Sequence, residues 1–403
     1  MRYSKIQVPQ IISQEVCGIN NMSFFLPFDY SIEFNHLQQS AIDVFSIFPQ
    51  LFYKYTLNEI IIDSSINKAT MIKNNTQQTY DQDCLQLIAN SHNQKLKIES
   101  GNNFRLTLNQ DTHNKKSTII FSISHVPFDG ISTMVLYKLL YTRLICSHKY
   151  YLYFAYIYLT NLHSRLLKRF LQSKTTFFKG VEPESGASKI PMQVKGNIIY
   201  FNQTQANIDG RKFALILLQS LQRAYPTEEE FNLNIVVNLR NKFRLLSKFM
   251  IGEFATTYGV KLTKDAIYSP LLNQRLKRFK FVKEHKLIEK LEENELANSV
   301  NIYDYYNQNY TVNNVSLLIS WMQNTGKIDN GKGGPQSFAI TSIASGPKSE
   351  YVVVGGYINN STLAILIQYN PWVTTQAEVA NYETNIIKLL EQNGFFVINK
   401  YIV

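Results

Sequence analysis

Short apolar stretches alternate with helical patterns along the first 150 residues. Four stretches are apolar or β-branched with the alternation typical of strands, at 59–63, 95–99, 104–108 and 117–124. Apolar positions recur at helical spacing in two others, from about 33 to 48 and from about 134 to 147. A polar insertion rich in Asn, Gln and Asp occupies 74–83. This order predicts an α/β unit.

The same alternation resumes after a break. Residues 174–193 contain Gly, Pro, Ser and Glu without periodicity, which predicts a linker. Strands are then predicted at 197–201, 233–239, 337–343, 351–358 and 362–369, and helices at 210–224, 276–296 and 375–393. We therefore expect two similar mixed-sheet α/β halves that face one another, an N-terminal half at 1–173 and a C-terminal half at 194–403.

Composition limits the class of protein. The chain has 403 residues, 45% hydrophobic and 18% charged, which is typical of a globular protein with room for two cores. Its net charge of +11 attracts anions such as coenzyme phosphates, an acidic carrier protein or anionic lipid. The sequence contains no dense Lys/Arg run and no nucleic-acid-binding motif, so we do not expect nucleic acid as a partner.

The cysteines indicate a reducing compartment. Cys17, Cys84 and Cys146 are odd in number, widely spaced and outside any C-x-x-C pair, as in a cytoplasmic protein with free thiols. No Cys or His stands at ligand-like spacing from another, so no metal site is expected. The first residues lack the apolar core of a signal peptide.

One uncharged aromatic stretch, 150–162, permits two interpretations. It is followed by Arg165, Lys168 and Arg169 and is too short for the roughly 20 residues that cross a bilayer. It could form a buried helix near the junction of the halves. It could instead form an interfacial helix that makes a weak contact with a membrane or a greasy substrate.

A histidine follows the predicted strand 117–124. The sequence His125-Val126-Pro127-Phe128-Asp129-Gly130 leads from this strand into the next helix. Histidine can take and return a proton near neutral pH, so His125 is the candidate general base. Asp129 lies too far along the turn to share that proton and is expected to pair with a distant arginine, while Gly130 would permit a backbone conformation closed to other residues. The alternative is a surface turn before a helix.

Three further stretches stand in a fixed order around this loop. They are 24–55 with its Phe48-Pro49-Gln50-Leu51 phrase, 235–241 with Arg240 and the following 251–254, and 320–335, in which Ser320-Trp321 precedes Asp329-Asn330-Gly331-Lys332-Gly333-Gly334-Pro335. With the histidine loop, they resemble the superfamily of the BAHD acyltransferases, chloramphenicol acetyltransferase and the condensation domains of peptide synthetases. The resemblance covers nearly the whole chain.

The chain departs from the family pattern at two places. Asn330 and Lys332 replace both aromatic residues of the second BAHD motif, and a glycine-rich loop of other ancestry is the alternative interpretation of that stretch. Ser124 stands where chloramphenicol acetyltransferase and condensation domains usually carry a first histidine, which favours the BAHD-like branch.

The resemblance implies two acetyltransferase-like domains around a central active-site tunnel and a direct transfer without an acyl-enzyme. His125 would take the proton of the acceptor's hydroxyl or amine as that atom attacks a thioester, and Arg240 would pair with Asp129 unless it is a solvent-exposed residue at a strand end. Four loop residues would belong to the donor site, namely Asp329, Gly331, Lys332 and Gly333. Ser320 or Trp321 could donate to the oxyanion, although a tryptophan in the core is the alternative.

These features predict a monomeric, cytoplasmic acyltransferase of the HxxxDG type. It would bind no cofactor and would use acyl-CoA as co-substrate with a small-molecule acceptor. A stand-alone condensation-type enzyme that takes its acyl thioester from an acidic carrier protein is the first alternative. A non-catalytic binding descendant is the second, and the altered Asn330 and Lys332 are the features that favour it. The acyl group and the acceptor depend on the shape of the tunnel.

Overall fold

A computed structural model of the protein describes most of the chain. The described residues are 3, 7–17, 20–28, 30–77, 91, 94–111, 113, 115–145, 151–152, 154–155, 157–159, 176–178, 195–204, 208–238, 251, 255–270, 272, 276, 299–302, 304, 315–324, 339–341, 351–357, 361–369, 371 and 374–402.

In the N-terminal half, three helices and six strands have both of their ends among these residues. In chain order they are α1 (Val8–Cys17), β1 (Asn21–Phe28), α2 (Phe34–Phe45), β2 (Lys54–Tyr55), β3 (Ile60–Ile61), β4 (Ile72–Gln77), β5 (Phe104–Asp111), β6 (Lys116–Ser124) and α3 (Gly130–Leu144). Single turns of 3-10 helix lie at Pro49–Phe52, Lys68–Met71 and Ile98–Ser100.

In the rest of the chain, ten strands and three helices have both of their ends among the described residues. They are β7 (Thr176–Phe178), β8 (Lys195–Gln203), α4 (Gly210–Ala224), β9 (Glu230–Asn238), β10 (Ala255–Thr263), α5 (Lys264–Tyr268), β11 (Ser299–Asn301), β12 (Ser316–Asn324), β13 (Ala339–Thr341), β14 (Tyr351–Tyr357), β15 (Thr362–Tyr369), α6 (Gln376–Glu391) and β16 (Phe395–Ile402). The strand β7 lies inside the predicted linker and pairs in parallel with β11.

Two mixed sheets organise the fold, which confirms the predicted α/β class with two halves. The first has the order β13-β1-β6-β5-β4 and the second the order β10-β9-β12-β14-β15-β8-β16. The first sheet packs its apolar face against α2 and α3, where Phe45 contacts the rings of Phe104 and Phe121. The second sheet packs against α4 and α6 around the fully buried Tyr382.

A strand from the C-terminal half completes the sheet of the N-terminal half. The strand β13 pairs antiparallel with β1, with Met22 opposite Thr341 and Phe24 opposite Ala339. The two halves also meet through Met322 of β12, which packs against the core of the first sheet.

Several predicted elements differ from those observed. The helix at 210–224 and the strand at 362–369 have the expected bounds. Helix α3 begins at Gly130, four residues before the predicted start. The strand predicted at 95–99 is wrong, because the chain forms a 3-10 turn there that ends at Gly101 with φ of 83°. Most of the helix predicted at 276–296 lies outside the described residues.

The aromatic stretch 150–162 is helical at residues 151–152, 154–155 and 157–159. Ile157 is fully buried, but Leu152 is 76% exposed, so a wholly buried helix is the wrong interpretation. Within the described part of the chain, no helix combines the length and apolar character needed to cross a bilayer.

Candidate active site

His125 lies directly beyond the end of β6. This strand is buried from Ser117 to Ser124, because it runs through the middle of the first sheet between β1 and β5. His125 itself is only partly buried. The strand therefore ends where the chain leaves the core, and His125 lies at that boundary.

Backbone and side-chain hydrogen bonds fix this loop. The His125 N–H donates to the Asn20 carbonyl oxygen at 2.8 Å, and the Val126 N–H donates to Ser124 Oγ at 3.2 Å. The Gln7 Nε2 atom donates to the Val126 carbonyl oxygen at 3.2 Å. Ser124 is fully buried, so its hydroxyl shapes the loop and is not placed as a nucleophile.

The segment around α1 supplies the anchors. The Asn20 side-chain amide donates to both the carbonyl oxygen and Oε1 of Gln10, each at 3.0 Å, and Asn20 is fully buried. Gln7 is also buried. Sequence reasoning did not find these anchoring residues, since isolated Asn and Gln residues more than 100 positions from the histidine carry no local signal.

Asp129 is the N-cap of α3. It is 1% exposed, and its Oδ1 atom accepts a hydrogen bond from the Ser132 N–H at 2.9 Å. Its carbonyl oxygen accepts from both the N–H and the hydroxyl of Thr133. A capping carboxylate at a helix N-terminus also interacts favourably with the helix dipole. Arg240, its predicted partner, lies outside the described residues, so that pairing stays a prediction.

The conformational role assigned to Gly130 is wrong. Among the described glycines, positive φ angles occur at Gly101 and Gly394, while Gly130 is the first residue of α3. The Met322 Cε atom lies 3.7 Å from the position that a Cβ atom would take on Gly130, which is ordinary van der Waals contact. Neither the backbone nor this neighbour therefore requires glycine here.

The strand β12 brings the C-terminal half to the same place. Successive strand residues point to opposite faces, so Ser320 shares a face with Met322, which reaches the start of α3. Trp321 points the other way, into the second core, where its ring lies 4.7 Å from the Phe213 ring and 5.9 Å from the Tyr357 ring between centroids. Ser320 is thus the predicted oxyanion donor on the face toward the histidine loop.

The predicted donor loop lies outside the described residues. This applies to Asp329, Gly331, Lys332 and Gly333, whose roles stay predictions. Within the residues that the structure describes, no three His, Cys, Asp or Glu side chains are grouped as metal ligands would be.

A buried polar layer lies on the other face of the first sheet. The Ser122 hydroxyl is 2.8 Å from that of Ser23 on the paired strand β1 and 3.0 Å from that of Ser91. Arg105 lies near this layer, where desolvation lowers its pKa, and its Nη1 atom donates to Gln94. These hydrogen bonds satisfy polar groups that the strands would otherwise leave buried without partners.

The fold defined by these two sheets is that of condensation domains from peptide and polyketide synthetases. The starter condensation domain of rhizomide synthetase RzmA, crystallised as a variant in complex with C8-CoA, matches with a TM-score of 0.64 and 12% identity over 99% of this chain and 97% of that one. The condensation domain from Monacolin K polyketide synthase MokA matches with a TM-score of 0.62 and 11% identity over 98% of each chain. The first condensation domain of the CDA synthetase matches with a TM-score of 0.60 and 9% identity over 99% of each chain.

No protein-family model and no curated protein sequence matches the chain. The similarity is therefore one of fold.

Proposed function

We propose that the protein is an acyltransferase in which His125 acts as the general base. The observation that carries this proposal is the position of His125, partly exposed at the end of a buried strand, on an anchored loop of a condensation-domain fold. A base must reach the proton that it removes, and it must be held in place while it does so.

The reaction that fits this site is a direct transfer. The acceptor's hydroxyl or amine loses its proton to His125 as its oxygen or nitrogen forms a bond with the thioester carbonyl carbon. When the C–S bond breaks, the imidazolium returns the proton to the departing thiolate. Proton transfer of this kind contributes roughly a hundred- to ten-thousand-fold in rate. Ser320 would donate to the oxyanion that forms between the two steps.

We propose acyl-CoA as the donor and a small molecule as the acceptor. Two observations support a CoA thioester: the net charge of +11, which favours phosphate-bearing ligands, and the solved neighbour that carries C8-CoA. The single histidine, with Ser124 before it, supports a BAHD-like specificity within this fold. A carrier-protein donor is the second candidate, because the structural neighbours are domains of synthetases.

The experiment offers acyl-CoA and acyl-carrier-protein donors separately to a panel of alcohols and amines, with mass spectrometry of the products. The His125→Ala variant should lose turnover while its thermal melt stays unchanged, since the partly exposed imidazole contributes little packing. His113→Ala is the matched control, because His113 is an exposed histidine of another loop. Activity retained in a folded His125→Ala protein would refute the mechanism.

A further inference from the structure

The outward face of the helical segment formed by residues 151–152, 154–155 and 157–159 is apolar and exposed to water. Tyr151, Leu152, Tyr158 and Leu159 are 70%, 76%, 46% and 61% exposed. At about 100° per residue these positions, together with Ala155, fall within one face of a helix about 120° wide. A cluster of large exposed apolar side chains on one face is typical of a surface that binds a protein, a membrane or a ligand.

The opposite face of the same helix is fixed to the protein. Ile157 is fully buried in the first core, and Phe154 packs against that core and stacks on Tyr158, with 6.5 Å between ring centroids. The helix is therefore apolar on both sides. If it rotated about its axis, the inward apolar residues would become exposed in place of the outward ones, so the exposed apolar surface would remain. Its exposed face is a fixed part of the folded surface.

The sequence on both sides of this helix carries charge of one sign. From Gly130 to Val181 the sequence contains no Asp or Glu. The same interval contains eight cationic residues, which are Lys138, Arg143, Lys149, Arg165, Lys168, Arg169, Lys174 and Lys179. Each Lys or Arg near an anionic bilayer adds favourable electrostatic energy.

We propose that this helix face docks on an anionic lipid bilayer. Tyrosine and leucine side chains insert at the boundary between headgroups and acyl chains, and the positive charge of the surrounding sequence attracts the anionic headgroups, as in interfacial helices. Over this interval the sequence lacks the mixed charges that are typical of an ordinary protein interface. The docking is independent of the acyl-transfer reaction.

The test measures co-sedimentation of the purified full chain with vesicles of phosphatidylcholine alone or with phosphatidylglycerol, at low and at high salt. The wild-type protein should bind the anionic vesicles about tenfold more strongly than the neutral ones, and high salt should reduce this difference. The double variant Leu152→Glu/Leu159→Glu should lose at least about tenfold in binding, because two apolar side chains can no longer insert.

The matched control is the double variant Ile62→Glu/Ile398→Glu, which changes two residues that are 62% and 50% exposed on other elements. It adds the same negative charge and should keep most of the vesicle binding. Thermal melts establish that both variants fold.

Two results would overturn the proposal. One is wild-type protein that stays in the supernatant with anionic vesicles, and the other is an equal loss of binding in both double variants. If sedimentation velocity shows a dimer that only Leu152→Glu/Leu159→Glu converts to a monomer, and vesicle binding is absent, the face is an interface between two copies of this chain.

Discussion

Asp129 and Asp209 begin the principal helices of the two halves in the same way. Each is an extended N-cap followed by glycine, with φ of −95° and ψ of 175° at Asp129 and φ of −92° and ψ of 170° at Asp209. Asp129 accepts from the Ser132 N–H, and Asp209 accepts from the N–H groups of Arg211 and Lys212. The two caps differ in burial, because Asp129 is 1% exposed whereas Asp209 lies at the surface.

The residues before the two caps differ between the halves. The first half reads His125 to Gly130 as HVPFDG, and the second reads Gln205 to Gly210 as QANIDG. Both place a buried apolar residue, Phe128 or Ile208, before the aspartate. Glutamine cannot exchange a proton near neutral pH, so the proposed base exists in the first half and has no counterpart at the corresponding position of the second.

Gly130→Ala and Gly210→Ala should differ in their effects on stability. A Cβ on Gly130 would contact Met322 at 3.7 Å, so alanine there should change the free energy of unfolding by less than about 1 kcal/mol. A Cβ on Gly210 would lie 2.8 Å from Cδ1 of Trp321, whose ring is held by Phe213 and Tyr357, and it should cost about 1–3 kcal/mol. Urea unfolding of both variants measures this, and equal losses would contradict the packing described.

Asp209 should make stability depend on pH in the acid range. Partial burial raises its pKa, but hydrogen bonds from the Lys212 N–H and from Arg211 outweigh this, so the pKa is lowered. A lowered pKa means that the folded state favours the carboxylate. The stabilisation is therefore present above the unfolded pKa of about 4 and is lost as pH falls through the folded pKa.

The measurement compares thermal melts of wild type and Asp209→Asn from neutral to acid pH. Asparagine can still cap α4 but does not titrate, so the wild-type advantage should shrink as pH falls. A difference that stays constant over the whole range would show that Asp209 does not titrate in the folded state as described.

Asp129→Ala and Arg240→Ala should be coupled if the proposed pair exists. Loss of the buried cap alone should cost about 1 kcal/mol, and stranding a buried partner charge should raise the cost to about 3–5 kcal/mol. The double variant should then cost less than the sum of the single ones. Additive losses in urea unfolding would show that Arg240 does not contact Asp129.

Ser320→Ala and Trp321→Phe should separate turnover from stability. The Ser320 hydroxyl is the proposed oxyanion donor, so its removal should lower kcat by about a hundredfold or more with little change in the melt. Trp321 packs in the second core, so a smaller ring should cost about 1–3 kcal/mol while the remaining folded protein keeps its kcat. Normal turnover in Ser320→Ala would require another donor.

Salt should weaken donor binding if the donor carries phosphates. The donor KM should rise with ionic strength, because exposed charges are screened beyond about 10 Å at 0.1 M salt. Lys332 lies within the glycine-rich stretch 329–335 and Lys327 just before it in the sequence, so Lys332→Glu and Lys327→Glu should each raise the KM further. Lys73→Glu is the control, since Lys73 is an exposed lysine of β4 in the first sheet. A KM that responds to neither salt nor Lys332→Glu would remove these lysines from the donor site.

Local sequence signals were sufficient for some elements. The helix α4 was predicted with its observed bounds, because Asp209-Gly210 marks its start, Pro226 follows its end and apolar residues recur between them. The helix α3 was predicted four residues short because Asp129 was interpreted as an ion-pair partner rather than as a cap. No other local signal conflicts with a cap at Asp129. The Asp129-Gly130 pair is sufficient to place the start of this helix.

Elements set by tertiary contacts could not be predicted in the same way. One face of strand β12 packs in the second core, and the opposite face contacts the N-terminal half. Its sequence SLLISWMQN therefore lacks a clean alternation of apolar and polar residues. The histidine itself was evident from its local motif. Its anchors were not, because the hydrogen bond from Gln7 to Val126 joins residues 119 positions apart.

The pairing of β13 with β1 sets an order for folding of the chain. Met22 finds its strand partner Thr341 only after most of the chain has been synthesised. Until then β1 is the outer strand of its sheet, and its unpaired backbone groups can pair with another nascent chain. Because contacts of such long sequence separation form slowly, we expect refolding to be slow and the isolated residues 1–173 to aggregate.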